Sequence, residues 1–364
     1  MKMFFLIIMG AYLAGNIYIF IRLMQTLSGV ALGVRIAASV TFWILALLLL
    51  ISMLMRDIPI PTTIAKGMFS IGSVWLVFTL YMVLALLIFD IAKIFAPSMQ
   101  WGFLYALGVT TAVMAYGYYN YRNPKIEHIE IVLDKEIGCE EIKIASISDV
   151  HLGNGTDKKA LQRYARMINA LQPDLILISG DLIDNSITPV AQQRMEEELG
   201  ALQAPMGIYM AAGNHEYISR IEQCEEFLSK TPIKLLRDSI VTLPCGVQII
   251  GRDDRSNRRR ESLGGLLDRV DRSKPIIVLD HQPYNLAEVD AAKVDIQLSG
   301  HTHRGQVWPL SLLTDYIYEQ SHGYRKWENA HIYVSSGLSL WGPPFRIGTN
   351  SEMSIITLKS GKKE

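Results

Sequence analysis

Four long apolar blocks dominate the first third of this 364-residue chain and limit what it can fold into. The blocks cover residues 3–21, 36–55, 67–89 and 101–119. Each approaches or exceeds the roughly 18 to 20 apolar residues that a helix needs to cross a bilayer. The sequence therefore predicts an N-terminal transmembrane domain of four helices, over residues 1–122.

Four crossings would put both chain termini on one side of the membrane, and the flanking basic residues indicate which side. Lys and Arg concentrate in the cytoplasmic loops of membrane proteins. Five basic residues would lie with the termini and three on the other face: Lys2, Arg56, Lys66, Arg122 and Lys125 against Arg22, Arg35 and Lys93. We therefore predict a multi-pass protein of the cell membrane with a cytoplasmic C-terminal domain. The three widely spaced cysteines, without a CxxC pair, agree with a reducing compartment.

Beyond residue 122 the sequence has the pattern of a soluble α/β domain. Short apolar runs such as "PDLILISGD" alternate with amphipathic stretches such as "KKALQRYARMINALQ", in which Leu161, Tyr164 and Ile168 fall on one helical face. The remaining residues, 123–364, are enough for a substantial core. Because 35 basic residues balance 35 acidic ones, the bulk charge argues against a nucleic-acid partner.

Polar side chains follow five of the predicted strands, at the point where each strand ends. Taken singly, each is typical of a helix N-cap, a turn or a core histidine. In open α/β sheets, however, the carboxyl ends of strands line the functional crevice, so five such coincidences favour one convergent site. The five segments are Asp149-Val150-His151, Gly180-Asp181, Gly213-Asn214-His215-Glu216, Asp280-His281 and Gly300-His301-Thr302-His303.

The side-chain types in these segments indicate what they bind. Carboxylates, imidazoles and an amide oxygen, without a thiolate, suit divalent Mn²⁺, Fe²⁺, Zn²⁺ or Co²⁺. The set is larger than one tetrahedral ion can use. Two ions that share a bridging carboxylate, about 3.5 to 4 Å apart, are suited to hold the oxygens of a phosphate during displacement. The residues therefore predict two divalent metal ions.

The series DxH, GD, GNHE, H and GHTH resembles the signature blocks of the calcineurin-like metallophosphoesterase superfamily, in the family's order and over about residues 140 to 360. The resemblance implies an α/β domain of two packed mixed β-sheets flanked by helices. It also implies two groups of metal ligands with one bridge between them. The ligands carried over are Asp149, His151 and His303 for one metal, Asn214, His281 and His301 for the other, and Asp181 for both.

The same resemblance assigns roles to two neighbouring residues of the GNHE block. His215 is similar to the family's non-ligating histidine, which stabilises or protonates the leaving-group oxygen. Glu216 would either orient His215 or be a surface carboxylate.

The closing stretch "SSGLSLWGPPFRIGTNSEMSIITL" resembles the membrane-associated bacterial branch of the superfamily, in which a WGPP-like turn recurs. Members of that branch include proteins thought to act on lipid-linked phosphates. Arg304 departs from the glycine that many relatives carry after GHTH. It is a candidate substrate-binding residue that would contact a phosphate, or else an exposed side chain.

Two further stretches bear on the substrate. The arginine-rich loop "GRDDRSNRRRESL", residues 251–263, would hold a phosphorylated head group or the bilayer surface, or would be a solvated loop whose own carboxylates neutralise it. The apolar stretch "VWPLSLLTDYIYEQSHGYRKW", residues 307–327, would form a lipid-facing lip or ordinary core with one interfacial tryptophan.

These observations predict a membrane-bound, binuclear, metal-dependent phosphoesterase, for which manganese is one candidate metal. Its substrate would be an amphiphilic phosphomonoester, phosphodiester or pyrophosphate, such as a phospholipid, because tethering to helices makes sense if the substrate lies in the bilayer. One alternative is a phosphatase for soluble substrates that uses the membrane domain as an anchor. The other is a non-catalytic membrane sensor or scaffold, against which the intact ligand set and His215 argue. The oligomeric state is not predicted.

Overall fold

A computed structural model describes residues 2–55, 62–99 and 101–361 of the chain. The chain divides into two compact units. The first comprises residues 1–119 with 342–345, and the second comprises residues 120–341 with 346–364. The predicted domain boundary between residues 122 and 123 stays a prediction.

Four long helices account for the four apolar blocks: α1 (Lys2–Thr26), α2 (Leu32–Leu54), α3 (Thr62–Phe95) and α4 (Gly102–Arg122). By length and composition, three stretches within the described residues can cross a membrane: Ile7–Thr26, Leu32–Leu54 and Lys66–Phe95. The structure thus confirms a set of apolar N-terminal helices, with three candidate spans where the sequence predicted four. The difference is α4, whose threonines, tyrosines and asparagine make it less apolar than the other helices. Arg56, one of the basic residues used to orient the chain, lies outside the described residues.

A buried asparagine fixes how α1 packs on α3. The Asn16 Oδ1 atom accepts hydrogen bonds from Trp75 Nε1 at 2.9 Å and Thr79 Oγ1 at 3.3 Å, and Asn16 Nδ2 donates to the Tyr12 carbonyl at 2.9 Å. In a lipid environment, hydrogen bonds between helices of this kind specify which helix faces pair. The α2–α3 contact instead depends on Gly72, where a Cβ would lie 2.5 Å from the Leu49 backbone nitrogen.

The second unit contains two six-stranded mixed sheets. The strands are β1 (Lys125–Leu133), β2 (Glu141–Ile147), β3 (Leu175–Ser179), β4 (Ile208–Ala211), β5 (Ile233–Leu236), β6 (Ser239–Thr242), β7 (Gln248–Gly251), β8 (Ile276–Leu279), β9 (Ile296–Ser299), β10 (Gly323–Lys326), β11 (His331–Val334) and β12 (Glu352–Ser360). The first sheet has the order β1-β12-β2-β3-β4-β5, and the second β10-β11-β9-β8-β7-β6. In the first sheet only the β12–β2 pair is antiparallel, and in the second only the outer pairs β10–β11 and β6–β7 are.

Helices cover the outer faces of the two sheets, as the two-residue period of the strands requires. In β3, Leu175 and Leu177 join the core between the sheets, while Ile176 and Ile178 join the core under the helices. This confirms the expected pair of packed mixed sheets flanked by helices. The helices of this unit are α5 (Lys158–Ala170), α6 (Thr188–Gln192), α7 (Glu196–Gly200), α8 (Asn214–Ile218), α9 (Ile221–Leu228), α10 (Leu263–Leu267), α11 (Leu286–Ala291) and α12 (Leu310–Ile317).

The close approach of the two sheets depends on Gly251 at the end of β7. A Cβ added there would lie 2.1 Å from the Cβ of Leu236 in β5, which belongs to the other sheet. We expect Gly251→Ala to lower the free energy of unfolding by about 1 to 3 kcal/mol, as overpacking a core does. Thermal and urea unfolding of the purified chain in detergent would measure the loss.

Gly264→Ala is the matched control for this change. Gly264 lies in α10, and no atom lies within 4 Å of the position that a Cβ would take there, so alanine should leave stability unchanged or raise it by up to about 1 kcal/mol. Equal stability of the two variants would contradict the assigned sheet packing.

Candidate metal centre

The loops that follow β2, β3 and β9 hold the predicted ligands in an unusual backbone conformation. The φ angles of Asp149, His151, Asp181, His301 and His303 are 53°, 48°, 51°, 72° and 47°. Non-glycine residues rarely adopt this left-handed region, and each costs on the order of 1 kcal/mol or more. Such strain persists only where the surroundings over-determine it, which is typical of functional sites.

The first group of donor atoms comes from Asp149, His151 and His303, whose ligand atoms all lie within 4.8 Å of one another. The Nε2 atoms of His151 and His303 are 3.1 Å apart, and His303 Nε2 lies 3.4 Å from Asp149 Oδ1. The structure therefore brings together the three residues that the sequence assigned to one metal.

The second group contains Asp181, His281 and His301, again within 4.8 Å. The Ser179 carbonyl accepts a 2.7 Å hydrogen bond from His281 Nδ1, so Nε2 is the ring atom that remains to act as a ligand. His281 Nε2 lies 3.1 Å from Asp181 Oδ2 but makes no hydrogen bond within the described chain.

Asn214 is the predicted amide ligand; it follows Gly213 and begins α8, separated by two residues from the end of β4. Its Oδ1 atom is buried and has no hydrogen-bond partner among the described residues. A buried acceptor without a donor costs free energy unless something else satisfies it. An open amide oxygen, an open imidazole nitrogen and buried carboxylates together fit divalent cations.

The electrostatics of the site favour ionised carboxylates. Burial opposes ionisation of Asp149, yet His303 and His151 hold the pKa of Asp149 well below its usual range. Burial likewise opposes ionisation of Asp181, whose pKa is lowered by His281 and His151.

The imidazoles divide into two classes. Burial disfavours the charged form of His151, but Asp149 and Asp184 raise the pKa of His151 to about 10, and Asp181 raises that of His281 well above its usual value. Burial lowers the pKa of His301 to about 4 and that of His303 to about 3. The second pair is thus neutral and able to bind a metal at neutral pH, whereas the first pair must lose protons.

Glu216 has neither of the two roles that the sequence suggested. It is fully buried and accepts hydrogen bonds from the backbone N–H groups of Gly213 at 2.7 Å, Asp181 at 3.0 Å and Ile183 at 3.0 Å. Burial and the Asp181 carboxylate raise the pKa of Glu216 to about 7. Glu216 therefore joins the loops after β3 and β4, and it is not a surface carboxylate.

Asp184, which the sequence analysis missed, lies beside His215, in the place considered for Glu216. Its Oδ1 atom lies 3.1 Å from His215 Nδ1 and 3.5 Å from His151 Nδ1. Burial opposes ionisation, but the two histidines lower the pKa of Asp184 to about 2. The His215 ring meets the His151 ring edge-on at 4.6 Å between centroids. The available signal was a second acidic residue in "GDLID", three residues after Asp181.

Arg346 is a second residue that sequence reasoning missed. Its side chain is fully buried, and it donates from Nη1 to the His303 carbonyl at 2.9 Å and from Nη2 to the Ser336 carbonyl at 2.6 Å and to the Ser339 carbonyl. The guanidinium thereby ties the loop of His303 to the segment after β11. The sequence offered only its place after the WGPP turn.

Arg304 lies beside His303 in a left-handed conformation, with φ 50° and ψ 38°. Its side chain is half-buried, and no carboxylate in the described chain lies within ion-pair distance of it. A phosphate contact by Arg304 stays a prediction.

The arginine-rich loop is less free than either sequence alternative assumed. Arg252 and Arg260 pair with Asp280 at 2.8 and 3.2 Å, and the Arg255 guanidinium lies 4.7 Å from the ring centroid of Tyr284. Asp280, one of the strand-end carboxylates, is therefore satisfied by arginines and belongs to none of the three groups of possible metal donors, the third of which is His151, Asp181 and His215. Asp280 was grouped with the site because it precedes His281.

Known proteins match this chain across the same blocks. The family model for calcineurin-like phosphoesterases covers residues 142–305. An uncharacterized metallophosphoesterase of Helicobacter pylori (strain ATCC 700392 / 26695) is 34% identical over 262 residues, which is 69% of this chain and 70% of the relative. The chain belongs to the calcineurin-like metallophosphoesterase family.

Two other matches add to this picture. A Danio rerio protein named transmembrane protein with metallophosphoesterase domain is 32% identical over 273 residues, covering 70% of this chain and 62% of that protein. Among solved structures, a 5'-nucleotidase precursor from Thermus thermophilus is 16% identical with a TM-score of 0.35, over 60% of this chain and 55% of that one. The family membership, the His/Asp donor groups and the apolar N-terminal helices make this metallophosphoesterase a membrane protein and a metal-dependent hydrolase of phosphoester bonds.

Proton release should accompany metal binding by this metallophosphoesterase. The raised pKa values of His151, about 10, and of His281 mean that both rings are protonated at neutral pH in the metal-free protein. A divalent ion must displace these protons, so its apparent affinity should rise with pH up to about the His151 pKa. Titrating Mn²⁺ calorimetrically in two buffers of different ionisation enthalpy should show roughly two protons released per chain.

His151→Asn is the control for this measurement, since it removes one of the two protonated rings. It should release about one proton fewer per chain. Identical enthalpies in both buffers for the unaltered chain would contradict the assigned protonation states.

Proposed function

We propose that this metallophosphoesterase uses two metal ions to hydrolyse a phosphomonoester, phosphodiester or pyrophosphate of a lipid-linked substrate. The position of Asp181 is the observation that carries the binuclear part. Asp181 Oδ2 lies 3.9 Å from His151 Nε2 and 3.1 Å from His281 Nε2, so one carboxylate is within reach of both donor groups. A shared carboxylate is what a pair of ions a few ångströms apart requires.

The proposed roles follow from this arrangement. Asp149, His151 and His303 would hold one ion, Asn214, His281 and His301 the other, and Asp181 both. When bound, the ions would supply an activated water and neutralise charge on the phosphate oxygens. Oxygen and imidazole donors without thiolates favour Mn²⁺, Fe²⁺, Zn²⁺ or Co²⁺.

His215 would complete the reaction by giving a proton to the leaving-group oxygen. The Asp184 carboxylate faces Nδ1 of His215 at 3.1 Å, so a proton on Nε2 is the one available to the substrate. Asp184 thus acts through His215 and need not touch the substrate.

An amphiphilic substrate is the class that best explains a hydrolase joined to apolar helices. A catalytic unit held at a bilayer meets membrane-embedded phosphates at high effective concentration, because the tether replaces a diffusional encounter. Soluble phosphoesters gain nothing from the tether. We therefore favour a lipid-linked phosphate over a soluble one.

The proposal also includes a cytoplasmic position for the catalytic unit at the cell membrane. The basic residues near the helices support it, provided that α4 crosses with the other three helices and so keeps both termini on one side. The cysteines support it independently of the number of crossings. Cys139 lies within hydrogen-bonding reach of Cys245, yet all three cysteines, each within the described residues, are free thiols. Neighbouring thiols persist in reducing compartments.

A substrate panel tests this function directly. Purified chain with Mn²⁺ should hydrolyse lipid-linked phosphates with a higher kcat/KM than a nitrophenyl phosphoester, and Asp181→Asn should reduce both rates by about three orders of magnitude or more, since the bridging charge serves both ions. Metal content measured on the same samples should fall in the variant. Near-normal turnover of Asp181→Asn with full metal content would refute the bridging role, and a preference for the soluble ester would refute the substrate class.

A separate prediction distinguishes His215 from the metal-holding residues. His215→Ala should leave metal content close to that of the unaltered chain and lower kcat by roughly 10² to 10⁴, the range of general acid–base catalysis. The loss should shrink for esters with good leaving groups, because these need no proton. If metal content collapsed instead, His215 would have to be reassigned as a ligand.

A further inference from the structure

The helix α12 is an apolar surface element of the catalytic unit. None of its eight residues, all of them described, is buried. Large apolar side chains on it and just before it are exposed: Trp308 47%, Leu310 46%, Leu312 61%, Leu313 43%, Tyr316 88% and Ile317 50%. Contiguous apolar patches of this kind mark interaction sites rather than ordinary surface. This overturns the expectation that the segment is core with one interfacial tryptophan.

The chemistry of α12 is that of a helix lying at a lipid–water interface. Leucines with a tryptophan and a tyrosine are typical of interfacial helices, because aromatic side chains prefer the head-group level. The one acidic residue of α12, Asp315, accepts a hydrogen bond from the Ser321 hydroxyl. Its charge is therefore partly satisfied within the protein.

The helix is attached directly to the candidate metal centre. The loop of His301 and His303 leads into it through Gly305, which packs so tightly on its first turn that a Cβ would lie 2.4 Å from the Leu310 carbonyl carbon. At its other end, the Tyr318 ring lies 6.3 Å from that of His301, and the Tyr318 hydroxyl accepts a hydrogen bond from the Tyr284 hydroxyl at 3.2 Å. Whatever α12 contacts is thus brought next to the predicted metal ligands.

Charge and connectivity indicate what covers this surface. The chain carries three stretches able to cross a membrane, and α4, which follows the last of them, is separated from β1 by only two residues. The strand β10, five residues after α12, exposes Arg325 and Lys326, neither within ion-pair distance of a carboxylate in the described part of the chain. Arg325 lies over the Trp327 ring at 5.5 Å and Lys326 donates to the Asn329 carbonyl at 3.2 Å, so neither charge is neutralised by these partners. Exposed basic residues in the strand that follows an apolar helix favour an anionic lipid surface over an uncharged protein surface.

We propose that α12 is a membrane-docking helix. It would hold the candidate metal centre against the anionic lipid surface of the bilayer that contains the N-terminal helices. This docking proposal rests on the proposed function in one respect only, namely that the substrate is a lipid-linked phosphate. In this arrangement, a phosphate at the head-group level reaches the donor groups without leaving the membrane surface.

A spin-label experiment on the full-length chain tests the contact without relying on activity. Cysteine is introduced at Leu312, and separately at Val132, a 49% exposed apolar residue seven positions along β1 from Lys125. Each variant is labelled with a nitroxide in nanodiscs of equal parts phosphatidylcholine and phosphatidylglycerol, and labelling of the unsubstituted chain gives the background. The Leu312 label should collide more with oxygen than with a water-soluble nickel chelate, and the Val132 label should show the reverse.

Two results would overturn the docking. A Leu312 label that prefers the nickel chelate, like the Val132 label, would place α12 in water. A label shielded from both reagents would place α12 against protein, either a second copy of this chain or another partner.

Activity gives a second, independent measure. Leu312→Glu combined with Tyr316→Glu should lower kcat/KM for a lipid phosphate in the same nanodiscs by roughly tenfold or more, because carboxylates are disfavoured at an anionic interface, while the rate on nitrophenyl phosphate stays unchanged. Val132→Glu should alter neither rate. Equal loss on both substrates would show that α12 serves the site structurally and not as a dock. Failure of the proposed function would look different, since the unaltered chain would then itself not hydrolyse lipid phosphates.

Discussion

The catalytic unit depends on holding two buried carboxylates, Asp149 and Asp181, among converging imidazole nitrogens. Both carboxylates are almost completely removed from water. Burying an ionised carboxylate is strongly unfavourable unless charge and hydrogen bonds compensate for it. Divalent cations supply that compensation. The same arrangement of carboxylates and imidazoles therefore determines both the chemistry and the stability of this site. Protons on His151 and His281 take the place of cations in the metal-free protein.

Two ionisable residues of opposite sign keep the loops around this site in place, and both act on the backbone. Glu216 accepts hydrogen bonds from backbone N–H groups in the segments after β3 and β4, and Arg346 donates hydrogen bonds to carbonyls after β9 and β11. Glu352 continues the second network, accepting from the Ser336 N–H at 2.9 Å and from the Tyr333 hydroxyl at 2.9 Å. Backbone contacts of this kind hold two of the five left-handed predicted ligands directly, Asp181 through Glu216 and His303 through Arg346.

These backbone contacts explain which residues of the site the sequence predicts and which it misses. Strands, covering helices and the predicted ligands were accessible because their signals are local: a two-residue alternation, a helical stripe, and polar residues directly after an apolar run. Glu216, Asp184 and Arg346 leave no such local signal. Glu216 and Arg346 contact backbone atoms, which leave no pattern in the side chains, and the histidine partners of Asp184 lie in other segments of the chain. Glu216 was misassigned for that reason, since adjacency to His215 was the only local information.

Exposure is a property that an apolar run does not encode, and α12 illustrates this. Its leucines and tyrosine would satisfy the pattern of a buried helix equally well, and only the absence of a covering layer within the described chain distinguishes the two cases. For α4 the apolar run was misleading in a different way. The run predicted a membrane crossing, but the interspersed threonines and tyrosines lower the hydropathy of α4 below that of the other helices.

One loop carries both the predicted ligands His301 and His303 and the proposed membrane contact. Gly305 allows the loop to turn at φ 70° and brings it against α12 without an intervening side chain. Tightly packed contacts of this kind transmit displacement. A shift of α12 at a bilayer should therefore move the loop that carries the predicted ligands. Reciprocity then requires that whatever steadies the ligand loop, including its cations, also steadies the docking helix. For the proposed lipid-linked substrate, this coupling would order the site where the substrate is present.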